Sequence, residues 1–125
     1  MAAQTTVVFE SKKWLVVEFS LDVAAIEAAV IKVNKSDYTG LNGLEPSKFA
    51  IYEMRWNVGG TGILQLYFDH TTDDEIMALS GEGFVDWTEN GGFIDPASTG
   101  GTGDIVLSSA AGATYSITMK LRKKD

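Results

Sequence analysis

Runs that are β-rich or alternate between apolar and polar residues with a period of two recur along the chain, at 5–9, 13–19, 28–35, 49–56, 63–69, 83–87, 105–108 and 114–121. That period sends successive side chains to opposite faces of an extended backbone, so it predicts about eight strands. The final run is the clearest: Tyr115, Ile117, Met119 and Leu121 alternate with Ser116, Thr118, Lys120 and Arg122. Turn formers separate the runs, among them Asn42-Gly43, Glu45-Pro46-Ser47, Asn90-Gly91-Gly92 and Asp95-Pro96. Short strands punctuated this often predict an all-β fold, an antiparallel β-sandwich of jelly-roll-like form. The 125 residues suffice for one such domain, spanning 1–125.

Some segments depart from clean alternation. Trp14-Leu15-Val16-Val17, Ile63-Leu64 and Leu66-Tyr67-Phe68 are apolar on both faces, which means either a covered strand or a contact surface. The alanine-rich stretch 22–30 reads mostly as strand. Thr72 followed by Glu75 has the spacing of a capping box, so 72–79 is expected to form a single helical turn. Gly-Gly-Thr-Gly occurs at 59–62 and at 100–103, in each case leading into an apolar run. A phosphate cradle needs a following helix and usually a lysine, so these glycines read as hairpin or bulge positions.

Composition removes several function classes. Seventeen acidic against ten basic residues give a net charge of −7, which disfavours nucleic acid, whose affinity rests on cations neutralising phosphates. Cysteine is absent, so disulfides, thiolate nucleophiles and thiolate metal sites are excluded. The longest apolar stretch, 23–31, is interrupted by Glu27 and falls far short of the ~20 residues that cross a bilayer. No secretory signal is recognisable at Met1-Ala2-Ala3-Gln4, so a cytoplasmic start and no membrane partner are expected.

Catalytic chemistry finds little to use. His70 is the only histidine, and no nucleophile is spaced around it as a triad would need. The acidic run from Asp69 to Glu75 lacks the ligand order and central glycine of a calcium loop. No catalytic residue, cofactor or metal is therefore expected. Of the three tryptophans, Trp14 and Trp56 lie in apolar runs and read as core. Trp87, flanked by Asp86, Thr88, Glu89 and Asn90, is the candidate surface ring for stacking a sugar.

Charge is unevenly distributed along the sequence. Between Trp56 and Met119 there are nine acids and no base, while Lys120, Arg122, Lys123 and Lys124 crowd the last six positions. These four bases, with the apolar run Val7, Val8 and Phe9, are the candidate partner contacts: an edge strand for pairing and a basic tail for acidic groups. The tail reads as separable, so loss of 122–125 is expected to leave the domain folded.

The order of several segments carries a resemblance. Thr6-Val7-Val8-Phe9-Glu10 and Trp14-Leu15-Val16-Val17-Glu18-Phe19 open the chain; Tyr52-Glu53-Met54-Arg55-Trp56, Leu64-Gln65-Leu66-Tyr67-Phe68-Asp69 and Thr102-Gly103-Asp104-Ile105 follow; and Thr114 to Lys123 closes it. Taken together they resemble small virion structural proteins of tailed bacteriophages of marine bacteria. The resemblance implies a non-enzymatic capsid decoration or cement protein, located in the virion after assembly in the host cytoplasm. Its partners would be the major capsid protein or other virion proteins, with repeated copies or homo-oligomers in a symmetric assembly. A tail, neck or fibre component and a carbohydrate-binding β-sandwich module are the alternatives.

Overall fold

A computed structural model describes residues 4–21, 27–40, 43–60, 63–70, 74–94, 101–109 and 113–124. Among the described residues nine strands run in chain order: β1 (Gln4–Glu10), β2 (Trp14–Leu21), β3 (Glu27–Val33), β4 (Lys48–Gly60), β5 (Leu64–His70), β6 (Asp74–Leu79), β7 (Glu82–Asp86), β8 (Gly101–Ser109) and β9 (Ala113–Lys124). They pair antiparallel in two sheets, ordered β1-β2-β9-β4-β7 and β3-β8-β5-β6. Without β1, the order is two interleaved four-stranded sheets, the topology of a jelly roll. The expected sandwich is present, and β1 is a ninth strand added at one edge.

The core lies between the sheets. Leu15, Val17 and Phe19 of β2 and Ile117, Met119 and Leu121 of β9 point inward from one layer. Leu64, Leu66 and Phe68 of β5 and Ile105 and Leu107 of β8 face them from the other. Alternate residues of the same strands point outward, which is the sandwich's inside-outside division expressed strand by strand.

The 72–79 segment is not helical where it is described. Residues 74–79 form β6, with Leu64 opposite Leu79 and Leu66 opposite Met77. One helical turn would gain almost no internal hydrogen bonding, whereas the strand gains a ladder and buries Ile76 and Leu79 in the core. The first Gly-Gly-Thr-Gly begins at the end of β4, where the chain passes from one sheet to the other, and not in a hairpin. The second ends at Gly103, whose φ of +90° is open to glycine at little cost. A methyl group there would fall on the carbonyl oxygen of Ser47. The glycine is thus required by close approach of two backbones.

Candidate functional site: the outer face of the five-stranded sheet

Strand register brings together the two groups of contact residues that lie at opposite ends of the sequence. Phe9 is opposite Val16, Val16 opposite Lys120, and Lys120 opposite Glu53, which forms one row across four strands. The next row runs Trp14, Arg122, Ala50, and beyond it Lys124 stands opposite Lys48. Because Leu15 and Leu121 point into the core, their neighbours Trp14, Lys120 and Arg122 point out.

Trp14 is the centre of this face, not part of the core. Its ring meets Tyr52 edge-on at 4.9 Å, with the Lys120 ammonium 4.9 Å and the Arg122 guanidinium 5.7 Å from its centroid. Cations at such distances are held by the ring's negative face. Arg55 covers Phe84 in the same way at 5.2 Å, and a groove of about 290 Å³ between Val16, Glu53, Arg55, Phe84 and Lys120 joins the two clusters. At the edge of the face, Asp86 accepts a hydrogen bond from the Thr88 backbone. The Thr88 hydrogen bonds, with a minor contribution from Lys120, hold its carboxyl below the usual range.

Cations outnumber acids at one end of this face. Lys12 and Lys13 lie in the turn between β1 and β2, and the carbonyl of Lys13 accepts from the backbone of Lys123. With Lys48, Lys120, Arg122 and Lys124 they place six of the ten bases in one corner of a chain with net charge −7. Glu53, 3.6 Å from Lys120, is the one carboxylate in salt-bridge contact with this group among the described residues.

Lys123 does not belong to the surface set. Only 5% of it is exposed, because it continues the inward parity of Tyr115, Ile117, Met119 and Leu121. Its ammonium donates to Glu10 at 2.8 Å and to the carbonyls of Ser11 and Thr39 at 2.7 Å each. Tyr38 lies beneath it, 5.8 Å from ring centroid to Nζ, and burial, reinforced by the charges of Asp37 and Glu10, raises the Tyr38 hydroxyl above its ordinary pKa. Residues 122–124 of the supposed tail are in fact the end of a central strand paired on both sides, so they are not a removable appendage.

Val7, Val8 and Phe9 are on the surface, with 46%, 61% and 55% of their area exposed. The β1 ladder shifts register between Val7 and Phe9, so Val8 is a bulge. Trp87 is a half-buried ring packed against the core and tilted on Phe93 at 5.1 Å, so it offers no open platform for a sugar. Trp56 also packs against the core, over Gly83, and donates to the Ser80 carbonyl. The side chain of His70 and most of the acidic run 69–75 lie outside the described residues.

No group of three or more His, Cys, Asp or Glu side chains that could hold a metal ion occurs among the described residues. No described helix is long and apolar enough to cross a membrane. Comparison of the chain with protein-family models, with curated proteins and with solved structures finds no match.

Proposed function

We propose that the chain is a non-enzymatic docking protein that binds an acidic partner through the outer face of its five-stranded sheet. Its place would be the capsid of a tailed bacteriophage, as a decoration protein that cements the shell. The observation that carries the docking reading is the Lys48–Lys124 pair. Like charges directly opposite in a ladder destabilise a sheet, and these two lysines have no ion-pair partner among the described residues. A cost in folding that is retained on one patch is what a binding surface would impose.

The jelly roll is compatible with a shell component but equally with other roles, since function resides in the site and not in the fold. Stacking of sugars is the weaker reading, because the rings of Trp14 and Phe84 are already covered by cations. A tail or neck position would use the same face and differ in copy number. Quantitative mass spectrometry of purified particles separates these: decoration requires a copy number on the scale of the major capsid protein.

Lys124→Glu tests the docking face directly. The substitution turns a repulsive cross-strand pair into an attractive one, so stability should rise by about 0.2–1 kcal/mol. Binding to particles stripped of the protein should fall by about tenfold at low salt, equivalent to ~1.4 kcal/mol, and the difference should shrink as salt is added. Opposite signs for the two measurements support docking. Unchanged binding at low salt rejects it.

A further inference from the structure

Four strands lie at sheet edges: β1 and β7 in one layer, β3 and β6 in the other. Exposed edges invite pairing with other chains, and proteins normally block them with charge or brevity. β7 has five residues and carries Glu82 and Asp86. β6 begins Asp74-Glu75. β3 carries Glu27, and its Lys32 is a buried charge. In β1 no ionisable side chain occurs from Gln4 to Phe9, and Val7, Val8 and Phe9 are exposed. β1 is also the strand outside the jelly roll, in the layer with five strands against four. Only the bulge at Val8 interrupts it.

We infer that β1 pairs antiparallel with β1 of a second copy, joining two five-stranded sheets into one of ten. The charge distribution directs a second copy to this edge. Two chains of net charge −7 repel one another over most of their surfaces, but the stretch Gln4–Phe9 brings no charge to the contact. Antiparallel pairing also sends Glu10 of each copy to opposite ends of the shared ladder, so the two never face each other. The contact is isologous and closes at two copies.

The symmetry has a geometric consequence. The two-fold axis between antiparallel neighbours in a sheet stands perpendicular to the sheet. Both outer faces, each with its Trp14, Lys120 and Arg122, therefore look the same way. The dimer presents a doubled basic surface with the two Phe9 residues near its centre. Dimerisation itself does not depend on the docking reading, because it uses the strand edge and not the sheet face.

The test is sedimentation velocity of the full chain over a concentration and salt series. A concentration-dependent dimer is expected that strengthens as salt screens the repulsion, whereas docking of the basic face to an acidic partner weakens with salt. Failure of one therefore does not imitate failure of the other. Thr6→Lys and Phe9→Asp, both at exposed positions, should each weaken the dimer by about tenfold or more, with circular dichroism and Tm confirming the fold. The chain has no cysteine, so single cysteines placed along Gln4–Phe9 report without background. Disulfide formation should peak at the one or two positions beside the axis and fall away on both sides. A monomer at every concentration, a dimer that withstands both charged substitutions, or cross-linking with no peak along β1 overturns the inference.

Discussion

Gly103→Ala is expected to cost about 3–5 kcal/mol, from a strained backbone plus an overlap that cannot relax. Gly103 has φ of +90°, and an added methyl would meet the Ser47 carbonyl and lie 2.8 Å from the Lys35 side chain. The Lys35 stem can move aside. The Ser47 carbonyl cannot, because the Ser47 backbone N–H is bound to the Lys124 carbonyl at 2.8 Å at the mouth of β4. Gly43→Ala is the matched comparison, with φ of +79° and nothing within 4 Å of the added atom. It should show strain alone, about 1–2 kcal/mol. Urea unfolding at constant m-value reads both. Equal losses at the two positions would refute the close-approach argument.

Lys123→Met should lower stability by about 1–3 kcal/mol, mainly because the carbonyls of Ser11 and Thr39 lose their donor in a partly buried setting. Methionine keeps much of the apolar stem, so the loss measures the ammonium and not a cavity. The adjacent Lys124→Glu is expected to stabilise. Two neighbouring lysines thus respond with opposite signs because one points into the sandwich and the other out. A neutral effect of Lys123→Met in thermal and urea unfolding would show that the buried charge contributes nothing net.

Alternation made the strands legible. Leu64, Leu66 and Phe68, or Tyr115 through Leu121, announce their inward faces without any knowledge of partners. Parity also contains the fate of Lys123, two residues beyond Leu121 on the same face, whereas its charge points to solvent. Trp14 illustrates the complementary difficulty. An indole in an apolar run looks like core, and only the register with Arg122 and Lys120 reveals an outward ring held by cations. The helical expectation for 72–79 rested on local spacing, which the ladder with β5 overrode. The basic corner was half visible: Lys120, Arg122 and Lys124 are adjacent in sequence, whereas Lys12, Lys13 and Lys48 join them only through the pairing of β2 and β4 with β9.

The position of β9 also decides when the molecule can exist. It is the last of the described strands in chain order, yet it sits in the middle of its sheet between β2 and β4, with Leu15 opposite Leu121 across a separation of 106 residues. Without β9, the strands β1-β2 and β4-β7 can pair only as two ribbons, each with an inner edge open to the same missing strand. Pairing of such distant segments is slow, and waiting edges are where chains aggregate. Folding of this layer must therefore wait until β9 has left the ribosome. A product cut short before Ala113 would have two unpaired inner edges in place of a finished sheet.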